Sequence, residues 1–449
     1  MAVIKPFRGV RYDPAKFDRL EVVVSQPYDK ITDELAQQYD ALSPYNIAHI
    51  IGGKRGGNGS SDPYAFAKAC YDDWLAEGVL IREDRPALYA YEQQFALNGE
   101  MYTRLGLIAA VGLADFDEGI ILPHERTHSG PKADRLNLLH ALAVNTEQIF
   151  LLYPDDENRV NALIRAAIAG QEPVIDVHEL HEHGVRQCLW VITDAATIAA
   201  IEAEMAPKRH LIIADGHHRY ETALAYRDER HAAQPDLPPD AACNYTGAML
   251  VSMTDPGLVV LPTHREVRDF TATSPADVLR RAEEHFIVTP AADLESCLQT
   301  VTAHPNNHAF GFYGGPAVGF HVLMLKPDRQ VDDLVPGERS HEWKSLAVSV
   351  LHYVLLDQIA GLPAAGIEDR SLLRYYRSAQ DAATNVDQGD GNFVFFVSPT
   401  RLDMIRACAD QGEKMPQKST DFYPKVISGL VMLPVGAGEV LPSSQPADA

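Results

Sequence analysis

The sequence predicts an α+β protein built of mixed β-sheets with flanking helices. Three features predict it. Short β-rich runs and helix-compatible runs succeed one another irregularly, without the repeating βαβ order of a doubly wound sheet. Two β-rich runs flank Leu97-Asn98-Gly99-Glu100, and Asn-Gly in that position signals an antiparallel hairpin. The apolar run Leu211-Ile212-Ile213-Ala214 stops at Asp215-Gly216, where an Ala/Leu/Glu pattern takes over: a strand, a tight turn and a helix start.

Along the chain, residues 25–60 carry Gln26-Pro27-Tyr28-Asp29, Ser43-Pro44-Tyr45-Asn46 and the glycine-rich run from Gly52 to Gly59. That run lacks the Ser or Thr that comes after the lysine of a nucleoside-triphosphate loop, so it reads as a loop. Pro63 to Gly78 reads as a helix, with proline in its first turn and glycine as its stop. Pro86–Phe95 and Tyr102–Leu113 form the hairpin strands. A strand is expected at Asn145–Pro154, a helix at Asn158–Ile168, a strand at Cys188–Thr193 and a helix ending at Met205. After the Asp-Gly turn come strands at Ala248–Met253 and Leu258–Leu261, a helix at Asp277–His285, and β alternation over Phe310–Leu325 broken at Gly314-Gly315-Pro316. Leu346–Ile359 reads as a long apolar helix and Asn392–Ser398 as a buried strand. Arg370, Arg374 and Arg377 stand at helical spacing on a solvated face, and the Gly/Ser/Pro-rich tail from Gly436 is expected to fray. The segments group as an N-terminal α+β domain with a charged active-site loop (1–200), a nucleotide-binding segment (201–290), a C-terminal α+β domain (291–435) and a flexible tail (436–449).

Composition bounds the function. The 449 residues, 46% of them hydrophobic, suffice for two or three domains with a sizeable core. A net charge of -23 opposes nucleic acid and anionic membranes as partners, while a small anion in a local cationic pocket stays compatible with that field. The N-terminus lacks the apolar core of a signal peptide, and no run is long enough to span a bilayer. The five cysteines are odd in number and scattered, which argues against a disulfide framework or a cysteine zinc site. A cytoplasmic protein is expected, with its cysteines in the core.

Cations concentrate in four places. The strongest is the Asp215–Arg219 turn: Gly216, His217, His218 and Arg219 stand at a helix start, where backbone N–H groups and the positive dipole end favour phosphate. Asp215 is a candidate base or metal ligand. The second is the run from Leu122 to Arg135, with His124 or Glu125 as a candidate base and Arg126, Lys132 and Arg135 as cations. It is expected to be a loop ending at a helix over Leu136–Leu142. His124-Glu125 with His128 has the spacing of a zinc protease helix, but Pro123 and Ser129-Gly130-Pro131 make such a helix implausible, and no metal site is expected. The third is His264-Arg265, directly after a strand. The fourth is the run from Lys414 to Lys425, including Lys418 and Ser419.

The motifs carry a resemblance. The Lys5–Arg8 start, Pro27–Asp29, Ser43–Asn46, the runs His124–Arg135 and Met415–Lys425, and Ala214–Tyr220 together resemble the bacterial and archaeal domain-of-unknown-function family 1015. Gly216-His217-His218-Arg219 also resembles the G-x-x-R turn of the ParB/sulfiredoxin superfamily, which implies a nucleotide-binding core of that type. Sulfiredoxin chemistry needs a cysteine where His217 stands. The D-G-H-x-R pattern of free-serine kinases fits Asp215–Arg219.

The resulting expectation is a nucleotide-dependent phosphotransferase acting on free serine or a related hydroxy compound. Asp215, Glu125 and His124 would serve the chemistry. Gly216, His217, His218, Arg219, Lys132, Arg135, His264, Arg265, Lys418 and Ser419 would bind phosphate, with ATP or ADP and Mg²⁺ as cofactors. Two alternatives stand beside it: a nucleotide-binding regulatory protein without turnover, and a metal-dependent hydrolase centred on His124, Glu125 and His128.

Overall fold

A computed structural model describes residues 2–52, 62–125, 130–182, 184–306, 308–368 and 371–442. The glycine-rich run beyond Gly52, Arg126, His128, Arg370 and the last seven residues lie outside them. The chain divides into two units, each assembled from separated segments: 1–123, 127–259 and 424–449 form the first, 124–126 and 260–423 the second.

The first unit is built on a nine-stranded mixed sheet. Its strands are β1 (Ile4–Lys5), β2 (Leu88–Leu97), β3 (Glu100–Gly112), β4 (Ile121–Pro123), β5 (Ile149–Tyr153), β6 (Ile175–His178), β7 (Arg186–Ile192), β8 (Leu211–Asp215) and β9 (Tyr245–Ser252). Their spatial order is β4-β8-β5-β9-β3-β2-β7-β6, with β1 on β3. The β8–β4 and β5–β9 pairs are parallel and the others antiparallel. The β2–β3 hairpin closes with Leu97 opposite Glu100, and its two turn residues, Asn98 (φ 52°) and Gly99 (φ 82°), both take the left-handed backbone that a two-residue turn requires.

Alternate residues of each strand share a face. Leu105, Leu107, Ala109 and Val111 pack with Leu211, Ile213 and Leu250 into one core. Three helices close that core: α3 (Arg159–Ile168) through Val160 and Ile164, α4 (Ala195–Met205) through Ile198 and Ile201, and α5 (His217–Ala233) through Tyr220. A second core joins residues of the 10–80 region to Leu138 and Leu142 of α2 (Gly130–Leu142), and α1 (Pro63–Ala76), capped by Asp62, contributes Trp74.

The second unit is a six-stranded antiparallel sheet. It consists of β10 (His264–Val267), β11 (Phe286–Ala291), β12 (Ala309–Tyr313), β13 (Phe320–Leu325), β14 (Leu373–Tyr376) and β15 (Phe393–Phe396), in the order β11-β13-β12-β15-β10-β14. Helix α6 (Pro275–Ala282) precedes β11. Cys297 of α7 (Leu294–Ala303) and Ala382 and Val386 of α8 (Ala379–Asp387) pack on Val322, Val394 and Phe396, and α9 (Leu402–Asp410) closes the series.

Several expectations need correction. Lys132 and Arg135 are helical, not loop residues, because α2 starts at Gly130: a proline fits a helix's first turn, where its missing N–H costs nothing. Arg374 lies on β14, facing Glu266 across the sheet, so the arginine spacing marks no helix; Arg377 pairs with Asp421. The apolar helix from Ala347 changes after Val350 into a π-helix over Leu351–Ala360. Residues 436–442 are tied down rather than frayed, since Glu439 pairs with Arg82 at 2.5 Å and the Leu441 N–H donates to the Asp240 carbonyl at 2.9 Å. All five cysteines are free thiols, and only Cys70 is less than fully buried. Among the described residues, no helix is long and apolar enough to cross a membrane.

Candidate functional site

The first unit gathers its charged side chains around the end of β8. Strand pairing places Ile213 opposite Leu151 but Asp215 opposite Phe150, so Ala214 is the extra residue of a β-bulge. A bulge bends its strand and re-aims the residues beyond it. Gly216 then turns the chain with φ 89° and starts α5 without a side-chain cap. A Cβ there would lie 3.0 Å from Arg219 Nε, because the guanidinium folds back over the glycine. Tyr220 anchors the first turn from the buried side, donating to the Ala114 carbonyl at 2.7 Å and accepting the Ala114 N–H at 3.0 Å.

Arg219 keeps 12% of its side chain exposed. Its Nη1 donates to the Gln148 carbonyl at 2.6 Å, while its Nε is buried and has no hydrogen-bond partner. Glu147 lies 4.0 Å from Arg219 and 3.9 Å from Arg135, and its carboxylate also accepts from the Tyr28 N–H and the Ser428 hydroxyl. Arg135 lies 4.1 Å over the Tyr28 ring and donates to Asp134 and to the Ile51 carbonyl. A cavity of about 50 Å³ opens between Arg135, Glu147, Arg219 and Thr222. Lys132 pairs with Glu221 of α5.

Two carboxylates meet these cations. Asp215 lies 3.3 Å from Lys425 and accepts the Gly216 N–H at 2.9 Å. Burial alone would raise its carboxyl, but Lys425, then Arg219 and His217, outweigh that and hold it well below the usual carboxylate range. Asp29 moves the other way. Though the residue is exposed, atoms packed around its carboxyl strip hydration, and that loss first and the Asp215 charge second raise its pKa against Arg219 and Lys425. Lys425 is held in place from below. Fully buried Arg104 binds Gln93 and donates to the Pro424 carbonyl at 2.5 Å, and Gln93 donates to the Lys425 carbonyl at 2.9 Å. Sequence reasoning singled out the Pro27–Asp29 and Lys414–Lys425 motifs but gave Asp29 and Lys425 no role at this turn. Glu147, in the polar run Asn145–Gln148 ahead of β5, was not singled out by the sequence.

The remaining expected site residues belong to the second unit. Glu125 accepts the Thr420 N–H at 3.0 Å, the Thr420 hydroxyl at 3.1 Å and the Lys418 N–H at 3.3 Å. His124 is buried; its Nε2 meets the Thr420 hydroxyl at 2.7 Å, and its carbonyl accepts the Met415 N–H. Ser419 donates to the Pro416 carbonyl at 2.5 Å. His264 and Arg265 are the first two residues of β10, and both are buried. Burial, then the neighbouring Arg265 charge, pushes His264 down to about 4, so its imidazole is neutral at pH 7. Arg265 donates to the Lys418 carbonyl at 2.7 Å. The structure thus collects Asp215–Arg219, Lys132 and Arg135 in one unit, and His124, Glu125, His264, Arg265, Lys418 and Ser419 in the other. Among the described residues, no group of three or more His, Cys, Asp or Glu side chains is placed to hold a metal ion; His128 lies outside them.

The chain belongs to the family described as "Protein of unknown function (DUF1015)", whose model matches residues 4–349. No curated protein matches it. Among solved structures it is similar to a conserved hypothetical protein from Pyrococcus furiosus, at 13% identity over 74% of this chain and 95% of that one, with a TM-score of 0.33. It is also similar to a free serine kinase in complex with AMP, at 12% identity over 71% and 86%, with a TM-score of 0.32. A third is SbnI with a C-terminal truncation, from Staphylococcus aureus, at 10% identity over 73% and 87%, with a TM-score of 0.35.

Proposed function

We propose that the Asp215–Arg219 turn holds the phosphates of ATP or ADP and that the protein is a phosphotransferase acting on a small hydroxyl substrate. The observation that carries this reading is Arg219: a guanidinium folded over an uncapped helix start, partly open to solvent, with a buried Nε that no protein atom satisfies. An orphaned donor of that kind costs free energy unless an acceptor arrives, and a phosphate oxygen is such an acceptor. The first amides of α5 and the dipole end add to it.

The two carboxylates divide the remaining work. Asp215, held ionised by Lys425, suits electrostatic and metal-bridging duty. Asp29, with its raised pKa, is the better acceptor for a hydroxyl proton. Mg²⁺ takes one or two carboxylates, several waters and substrate phosphates, so the ionised Asp215 would suit it without a dedicated cage. When bound it would neutralise charge on the transferring phosphoryl group. The acceptor assignment, serine or a related hydroxy compound, rests on the D-G-H-x-R pattern of Asp215–Arg219.

The test is direct. The protein incubated with Mg²⁺, ATP or ADP, and a panel of serine, threonine, homoserine and glycerol is expected to yield a phosphorylated product, read by ³¹P NMR and mass spectrometry. Nucleotide binding with no product from any acceptor would reduce the reading to a binding protein; no nucleotide binding at all would remove it.

A further inference from the structure

The second unit contains a cavity of about 450 Å³, within the range of small-molecule sites. Its walls come from β11, the end of β13, the start of the helix at Ala347, the loop 398–401 and α9. Its lining is of two chemical kinds. One is apolar: Ile287, Met324, Leu346 and Met404. Ile287 stands directly opposite Met324 in the β11–β13 register and is 47% exposed, one of few large hydrophobic side chains so open to water. Methionine walls adapt readily to an apolar guest.

The other kind is cationic. Lys326, Arg329 and Arg401 line the cavity, and among the described residues no Asp or Glu does, although acidic residues outnumber basic ones 62 to 39 in the chain. Arg401 is neutralised by Asp403 at 2.5 Å. Lys326 and Arg329 are not. Lys326 donates to the Glu283 carbonyl at 2.7 Å and to the Glu284 carbonyl at 3.4 Å, which leaves one of its three donors, and Arg329 donates to the Glu284 carbonyl at 3.3 Å; among the described residues neither has a carboxylate at ion-pair distance. An ammonium has three N–H donors and a guanidinium five, so both retain donors for a guest. Lys326 comes directly after Leu325, the last residue of β13, so charge and apolar wall are fixed by the same strand.

We propose that this cavity binds a small amphipathic anion, an acyl carboxylate or alkyl phosphate whose head meets Lys326 and Arg329 and whose chain lies against Ile287, Met324 and Met404. In an acidic protein such a pocket is a local exception to the field, which favours anions there over the rest of the surface. The site is independent of the phosphate turn of the first unit.

Calorimetric titration of the full chain with octanoate, octyl phosphate, 1-octanol and inorganic phosphate tests it. At least one of the two amphipathic anions is expected to bind about tenfold or more tightly than either 1-octanol or inorganic phosphate, because each of those lacks one half of the recognition. Which anion wins distinguishes carboxylate from phosphate ester as the head group. The double variant Lys326→Glu/Arg329→Glu should lose that binding by about tenfold or more at unchanged circular dichroism. Should that variant misfold, Ile287→Glu decides, with the same loss expected. Equal affinity for 1-octanol, no binding of either anion, or unchanged affinity in the folded variants overturns the proposal.

Discussion

Glu125 in the second unit and Arg219 in the first are both charged groups at polar, motif-rich bends, yet they are in opposite conditions. Glu125 has its acceptors filled: two backbone N–H groups and the Thr420 hydroxyl point at its carboxylate. Arg219 has a buried donor left over. The Glu125 bend reads as an anchor that fixes the 415–420 segment, and the Arg219 turn as a place that something else completes. Density of charge in a sequence does not separate these cases. Satisfaction of donors and acceptors does so only together with access to solvent: Arg265 also has an unsatisfied Nε, but it is fully buried.

Single substitutions put this contrast at risk. The largest effect is expected from Asp29→Asn, which removes the carboxyl best suited to accept a proton while leaving the phosphate contacts. Turnover should fall by about 10²–10⁴ with nucleotide affinity little changed, read by steady-state kinetics against nucleotide titration. Equal turnover would remove Asp29 from the chemistry. Next is Arg219→Ala. A charge-assisted hydrogen bond is worth about 1.5–3 kcal/mol, so nucleotide affinity should weaken by roughly ten- to a hundredfold. Wild-type affinity in this variant would mean that Arg219 only braces Glu147 and Gln148.

Glu125→Ala probes the other member of the pair. It leaves the N–H groups of Lys418 and Thr420 without their acceptor, a loss of about 1–3 kcal/mol in stability. Thermal unfolding should report that loss while nucleotide affinity stays as in the wild type. A variant with normal stability and lost nucleotide binding would move the site to the second unit.

The smallest effect concerns pH. Glu179, buried beside Gln26 and Gln187, is pushed up to about 8, by burial first and by the charge of Glu182 second. Its folded pKa exceeds its unfolded value, so the folded state holds the extra proton. Its contribution is therefore fully present below pH 4.5 and is lost as pH rises through about 8. Glu179→Gln should keep the protonated geometry and flatten the fall in Tm between pH 4.5 and about 8. An identical pH profile in the variant would show that Glu179 is ionised in the native state.

Part of this fold and site could be read from the sequence, and physical reasons hid the rest. Asn98-Gly99 announced its hairpin because a two-residue turn needs two residues tolerant of positive φ. Asp215-Gly216 announced the strand-to-helix turn in the same way. Pro131 misled, since a proline that ends most helices also fits a helix's first turn, and α2 begins one residue before it. The π-helix over Leu351–Ala360 was hidden because apolar content does not distinguish i→i+4 from i→i+5 bonding. Most of the site partners were hidden by topology. Lys425 reaches Asp215 because residues 424–449 return to the first unit, and no local pattern in the 414–425 run separates Lys418, which stays in the second unit, from Lys425, which does not.

Whether the Gly216–Arg219 turn receives phosphate is decided most simply by calorimetric titration of Mg²⁺–ATP and Mg²⁺–ADP into the wild type and Gly216→Ala. The variant sets a Cβ 3.0 Å from Arg219 Nε at a backbone φ of 89°, which strains the turn and displaces the guanidinium. Measurable binding is expected for the wild type, and roughly tenfold or weaker binding for the folded variant. Equal affinities, or a wild type that binds neither nucleotide, would contradict a phosphate site at this turn.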